Sequence, residues 1–232
     1  MAPVFALLGL FTGSFLNVCI DRLPRGQSII RPPSHCATCN QKLGFLDLIP
    51  LLSYLWLRGR CHYCHTHIPI RLPVVEATTG LLFTFLYTKF GLGLELGIAL
   101  IYTGLLIIIF VIDLENQLIL DKITYPAMVL ALAFAPFWPG LEVLSSFPGG
   151  VPGKLLSALA GGVLGLMAMA LPLILSHGGM GWGDVKLGAL VGLMTGYPLV
   201  FVAILLSWIS GGLVATILLA FKIKRLKEPI PS

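Results

Sequence analysis

Two aspartates and four cysteines carry most of the chemistry legible in this chain of 232 residues. Asp184 stands in Gly178-Gly179-Met180-Gly181-Trp182-Gly183-Asp184-Val185-Lys186, a glycine-rich turn between long apolar runs. Asp113 closes a comparable run, Leu105–Ile112. An ionisable group at membrane depth is costly, so it marks function by default and needs a partner. Position alone leaves two readings: one site made of both carboxylates, or two unrelated interfacial acids that cap or flank helices. The glycines before Asp184 admit backbone conformations barred to other residues and leave room for a peptide. Taken alone they read more simply as a flexible turn.

The cysteines form two pairs, Cys36-Ala37-Thr38-Cys39 and Cys61-His62-Tyr63-Cys64, with 21 residues between them. Each pair can bind one metal ion from a tight turn, and two pairs complete a tetrahedral thiolate shell. The spacing is close to the zinc-ribbon pattern. The rival reading is redox chemistry, disfavoured if the segment faces the cytosol, where thiols stay reduced. A four-thiolate zinc has no open position, so it folds the domain rather than hydrolysing a bond. His35, His62, His65 and His67 crowd the same stretch and read as surface imidazoles. Cys19 reads as a small packing residue within an apolar run.

These residues must be positioned by a membrane protein. The chain is 57% apolar and 11% charged, with a mean hydropathy of +0.95, whereas a soluble domain carries about a quarter charged residues. Apolar runs approach the ~18–20 residues that cross a bilayer. The expected spans are 3–20, 73–90, 94–113, 123–139, 154–176, 184–197 and 198–221, the sixth short and separated from the seventh by Pro198. The first lacks a basic leader and a cleavage site, so it is expected to be retained. The expected fold is all-α and polytopic, with about seven transmembrane helices. Its parts are 1–20 (first span), 21–72 (a cytosolic, zinc-ribbon-like domain that binds zinc through four cysteines) and 73–232 (a transmembrane helical bundle).

Orientation follows from the basic residues. Seven alternating spans put Lys89 and Lys154 on one side and the other thirteen of the 15 Lys and Arg residues on the opposite side. Basic residues accumulate on the cytoplasmic face. The N-terminus is therefore expected outside, with the cysteine domain and both aspartates at the cytosolic face. The net charge of +5 records this topology, and no nucleic-acid partner is expected.

Helix polarity suggests how two paired acids would divide their roles. A carboxylate at a helix N-terminus is favoured in its charged form and one at a C-terminus is not, so Asp184 is expected to be the ionised partner and Asp113 the protonated one. Such a pair activates water and protonates a leaving group, which is aspartic-protease chemistry. For Glu76, near the start of the second span, Lys186 and a backbone amine are candidate partners, neither of them the favoured reading. Lys186 pairs with a nearby acid or serves as a positive-inside anchor. Asp21, Asp47, Glu115 and Asp121 read as solvated charges or helix caps that would also attract a basic peptide.

At this point the sequence resembles the type IV prepilin (leader) peptidases. The matching stretches are Gly13-Ser14-Phe15-Leu16-Asn17-Val18, Arg22-Leu23-Pro24-Arg25-Gly26, the cysteine tetrad, Ile49-Pro50-Leu51-Leu52-Ser53-Tyr54 and Pro73-Val74-Val75-Glu76. Further along come Ile112-Asp113-Leu114 with Asp121, and Gly179–Lys186. The resemblance runs from about residue 9 to 231. It implies an intramembrane aspartyl endopeptidase of the bacterial inner membrane that removes the leader of type IV prepilins or type II secretion pseudopilins after a glycine. It also implies methylation of the new N-terminus from S-adenosylmethionine. On the match, Asp113 and Asp184 are the catalytic pair, and Cys36, Cys39, Cys61 and Cys64 are the metal tetrad. Gly181, Gly183, Lys186, Glu76 and Asp121 are candidate supporting residues, and Gly59 falls where the family has a glycine linked to methyl transfer.

The pattern departs in three places. Ile119-Leu120-Asp121 stands where the family often has Leu-Pro-Asp, so a less sharp turn is expected after Asp113. The loop around 140–153 is longer than usual. Family chains continue past the Ile-Pro motif into another span, so a truncated or shortened member is expected. Two rivals of other classes remain: a membrane-anchored zinc-ribbon adaptor without catalysis, and a membrane thiol oxidoreductase.

Overall fold

The computed structural model describes residues 1–141, 147, 149–175 and 181–220. Gly178–Met180, most of the loop at 142–148 and the basic tail from residue 221 lie outside the described residues. Among the described residues there are eight α-helices and no extended strand: α1 (Ala2–Arg22), α2 (Leu52–Trp56), α3 (Arg71–Phe90), α4 (Leu94–Asn116), α5 (Asp121–Phe134), α6 (Val151–Leu175), α7 (Trp182–Thr195) and α8 (Leu199–Ala220). By length and composition α1, α4 and α6 can cross a membrane. The protein is therefore a mostly helical membrane protein. Helices α3, α5, α7 and α8 occupy the other four expected stretches. Helix α5 stops at Phe134, short of the expected 139. Pro136 and Pro139 replace its end with two single 3-10 turns, Ala135–Phe137 and Pro139–Leu141, because proline supplies no N–H and clashes with the preceding turn.

The chain divides into two compact units, Met1–Ile112 and Asp113–Ser232, the boundary falling inside α4. In the first unit α1 packs on α3 through small residues. A Cβ on Gly9 would lie 2.7 Å from the Gly80 Cα, and one on Gly13 2.7 Å from the Glu76 Cα. Apolar side chains gain nothing by leaving lipid for one another, so close backbone approach at small residues is what joins such helices. Large apolar side chains point outward instead, Phe11, Phe15, Leu81 and Phe85 among them.

The second unit uses the same device between α6 and α7. Side chains at Gly161 and Gly165 would run into the carbonyls of Gly192 and Gly188. At the far end of α7, Gly196 takes φ +70 and ψ 177 and its N–H bonds the Gly192 carbonyl at 2.8 Å, a positive-φ conformation that glycine adopts without strain. Tyr197 and Ser157 then exchange two hydrogen bonds, Tyr197 N–H to Ser157 O at 3.1 Å and Ser157 Oγ to Tyr197 O at 3.0 Å. Those bonds fix the α7–α8 corner to α6, and so fix the helix that begins with the Asp184 turn.

Candidate functional site

The cysteine segment is built as two copies of one turn. In the first, the Cys36 N–H bonds Gln41 O, the Asn40 N–H bonds Cys36 O, and His35 bridges Lys42. In the second, the Cys61 N–H bonds Thr66 O, the His65 N–H bonds Cys61 O, and Arg60 bridges His67. Asn40 and His65 hold the matching left-handed positions at φ 55 and 56, a conformation in which Asn and His are enriched among non-glycine residues. The turns face each other, and all four sulfurs lie within 4.8 Å of one another. No disulfide joins them.

The donor set fits a metal ion. Sulfurs at the corners of a tetrahedron with ~2.3 Å metal bonds are about 3.8 Å apart, and Cys36 Sγ to Cys64 Sγ is 3.8 Å. One thiol from each turn is predisposed to ionise. Hydrogen bonds from the Thr66 hydroxyl and backbone bring Cys64 down to about 6, and the Cys39 and Thr38 backbone N–H groups lower Cys36. Cys39 keeps a backbone hydrogen bond with Gln41 that favours its thiolate, but desolvation and the neighbouring thiols push it up to about 11. Among the histidines, His62 bonds Asp47 Oδ1 through Nδ1 at 3.2 Å; the metal-ligand group contains only cysteines.

Both candidate aspartates lie in the second unit, at opposite kinds of helix end. Asp113 is in the last turn of α4 and is 5% exposed. The helix ends when Gln117 takes φ 52 and gives its N–H to Asp113 O at 2.8 Å. Leu120 is extended and accepts the N–H groups of Ile123 and Thr124. The turn from α4 to α5 is thus completed within residues 117–120 without proline. Asp184 is half-buried in the first turn of α7, with Gly181 at the N-cap.

The turn after Asp113 and the turn that carries Asp184 meet directly. A Cβ on Gly183 would lie 2.8 Å from Ile119 Cβ, so residue 183 is glycine because Ile119 fills its space. Gly181 is different: among the described residues its nearest neighbour would be Asp184 Oδ2 at 3.8 Å, an ordinary van der Waals contact. Gly183→Ala is therefore expected to destabilise the unit by about 1–3 kcal/mol, as overpacking does, while Gly181→Ala leaves stability nearly unchanged. Thermal unfolding in detergent compares the two; equal losses would contradict the packing account. Lys186 completes the joint, its Nζ 2.6 Å from Asp121 Oδ1 and 5.2 Å from the centre of the Tyr125 ring.

Glu76 sits elsewhere, in the first unit and 8% exposed. Its Oε2 accepts the Leu51 N–H at 2.9 Å, where Leu51 is held at φ 60. Lys186 pairs with Asp121 instead. Gly59 has φ +69, and a side chain there would strike Tyr54 Oη at 2.9 Å. Sequence reasoning did not single out Asn17. Its side chain is 4% exposed, with Nδ2 donating to Leu72 O at 3.0 Å and Oδ1 buried without a hydrogen-bond partner. The available signal was an amide inside an apolar run.

Residues 7–90 match the family model of the bacterial peptidase A24 N-terminal domain, and residues 100–216 match that of the type IV leader peptidase family. The chain is 33% identical over 233 residues to a prepilin leader peptidase/N-methyltransferase of Bacillus subtilis, covering 100% of this chain and 88% of that one. It is 32% identical over 253 residues to the protein so named in Stutzerimonas stutzeri, covering 97% and 83%. For Pseudomonas aeruginosa the identity is 31% over 253 residues, again covering 97% and 83%. No solved structure matches.

Proposed function

This chain belongs to the type IV leader peptidase family, and from that premise we propose that it is a prepilin leader peptidase and N-methyltransferase whose proteolytic pair is Asp113 and Asp184. The substrate is a type IV prepilin or type II secretion pseudopilin, cut after a glycine at the cytoplasmic face of the inner membrane. The new N-terminus is then methylated. Seven helices cross the bilayer, with the N-terminus outside and the cysteine turns in the cytosol.

The observation that carries this reading is the junction of the two aspartate-bearing helix ends through Ile119 and Gly183. A water or a scissile carbonyl needs a carboxylate that can take a proton and another that can give one. Asp113 supplies a buried carboxyl, and Asp184 a half-exposed one in the first turn of α7. The base draws a proton from the attacking water, and the acid protonates the leaving amine. Neither an adaptor nor a thiol oxidoreductase has a use for two acids so placed. The cysteine tetrad holds zinc as a structural ion, outside the proteolytic step.

Lys186 is a positioning residue, holding the first turn of α7 against α5 through Asp121 and Tyr125. Lys186→Met is expected to lower kcat for leader removal by less than about ten-fold, against the ~10²–10⁴ of an acid–base group, with KM unchanged and Lys186→Arg restoring the rate. A loss as large as that of Asp184→Asn, unrepaired by Arg, would place Lys186 in the chemistry instead. Leader removal is tested by co-expressing the chain with a prepilin and following the mobility shift of the processed pilin.

A further inference from the structure

Helix α2 shows its apolar side chains to the outside. Leu52, Leu55 and Trp56 stand at i, i+3 and i+4, on one face of the helix, and are 63%, 71% and 89% exposed. Ser53, Tyr54 and Leu57 turn the other way and line a cleft of about 460 Å³ that Asn17 also lines. The adjoining 3-10 turn Leu46–Leu48 packs on α2 and adds exposed Phe45 and Leu46. Large apolar side chains grouped in this way at a surface mark contact with a partner or a membrane.

Depth and charge say which of the two it is. The Leu51 N–H, at the start of α2, bonds the Glu76 carboxylate at 2.9 Å, and Glu76 lies in the second turn of α3, about 7 Å along the axis from Arg71. Helical side chains lean toward their own N-terminus, so the carboxylate reaches back and sets the start of α2 within about one helical turn of Arg71. Arg71 in turn pairs at 2.8 Å with Asp21, in the last turn of α1, a helix long and apolar enough to cross a membrane. The height at which α1 leaves the apolar layer is therefore the height of α2. Leu51 is held there at φ 60, a costly conformation for a residue with a side chain. As for charge, Lys42, Arg58 and Arg60 flank the apolar segment and are exposed. The sole acid from residue 42 to 60 is Asp47, whose side chain is 9% exposed and held by the Gly44 N–H and His62. The outward charge of the segment is thus positive, which fits anionic headgroups, and Trp is enriched where apolar and polar layers meet.

We propose that α2 lies in the membrane interface at the end of α1, with Leu52, Leu55 and Trp56 among the acyl chains and Lys42 and Arg58 among anionic headgroups. An amphipathic helix so placed is buried about 5–10 Å into the boundary between headgroups and chains, and the Glu76 bond holds α2 at that level. Helix α2 runs straight into the second cysteine turn: the Gly59 N–H bonds Tyr54 O and the Ile68 N–H bonds Gly59 O, both at 2.8 Å. Lipid contact through α2 therefore holds the metal-ligand turns and the cleft against the bilayer surface instead of leaving them on a free lobe. Neither Asp113 nor Asp184 takes part.

The test places the full metal-loaded chain in nanodiscs whose phospholipids carry bromine at chosen depths of the acyl chain, with acrylamide as the aqueous quencher. The share of Trp56 is the difference in emission between the parent chain and Trp56→Phe, and bound metal and thermal unfolding check the folding of every variant. Bromine near the glycerol end of the chain is expected to quench Trp56, bromine near the methyl end to do so less, and acrylamide to reach it little. Leu52→Gln plus Leu55→Gln alters only outward side chains, so the fold is kept. It is expected to shift α2 out of lipid by on the order of a hundred-fold or more, the combined burial of two leucines, exchanging lipid quenching for acrylamide quenching. In that variant lipid contact is expected to recover in discs containing phosphatidylglycerol, by about five-fold for each basic residue engaged, and to be lost again with Lys42→Gln plus Arg58→Gln. Acrylamide quenching of Trp56 in the parent chain as free as that of tryptophan in water overturns the proposal, and so does lipid quenching that the leucine variant leaves unchanged. Trp56 sheltered from both quenchers overturns it as well and marks a protein on this face, a second copy or a partner. Indifference of the leucine variant to lipid charge overturns the role of Lys42 and Arg58.

Discussion

Asp113→Asn and Asp184→Asn are each expected to lower leader removal by about 10²–10⁴-fold, the usual contribution of a general acid or base. Asn keeps the size and one hydrogen-bonding oxygen of the carboxylate, so packing is retained and only proton transfer is lost. Asp184 occupies the first turn of α7, where Asn is tolerated sterically, and a loss of activity without a fall in unfolding temperature would separate chemistry from structure. The double variant carries a sharper expectation. Residues that act as one unit are grossly non-additive, so losing both carboxylates should cost little more than losing either. Two unrelated interfacial acids would instead give small effects that add. Normal processing by the double variant sinks the protease assignment.

Removing the metal gives the second large effect. One tetrahedral ion per chain is expected by elemental analysis, and chelation is expected to unfold the segment around Cys36–Cys64 because the four sulfurs that join its two turns lie within 4.8 Å of one another. Binding energy at such a site is folding energy. Replacing Cys36 or Cys61 with Ser should weaken the ion by more than about a hundred-fold, since even outer-shell changes cost about 10–100-fold. If zinc is structural, the aspartate pair keeps some activity in a metal-depleted chain. Complete loss of the ion with no change in protease resistance of residues 30–70 would contradict a folding role. A redox function would appear as a disulfide whose formation follows activity, which the 3.8 Å separation of Cys36 and Cys64 sulfurs does not anticipate at rest.

The two groups of candidate residues differ in how openly the sequence displays them. The cysteine tetrad was legible because each pair is a local turn with fixed spacing, and a metal accepts few other arrangements. The turn pair repeats hydrogen bond for hydrogen bond, with Asn40 and His65 at equivalent positions. The aspartates were legible as oddities, acids at the ends of apolar runs. That the turns beside them meet was not, because it depends on Ile119 meeting Gly183 across 64 positions of chain. Gly181 and Gly183 look alike in the sequence, yet only one of them has a neighbour that forbids a side chain.

By itself the sequence determined that this is a helical membrane protein, where its helices run, that four cysteines form one metal-ligand set, and which acids are out of place. Those properties are carried by short stretches: the length of an apolar run, the spacing of a turn, a charge where charge is costly. The tertiary structure alone decided the partners. It gave Lys186 to Asp121, gave Glu76 to the Leu51 N–H, closed α6 on α7 through paired glycines, and left Asn17 Oδ1 without a donor beside a cleft. The physical reason is that each of these contacts joins residues far apart in the chain, and one helix periodicity is compatible with many choices of neighbour. Which choice is realised depends on where backbones can approach, and here glycines set that distance.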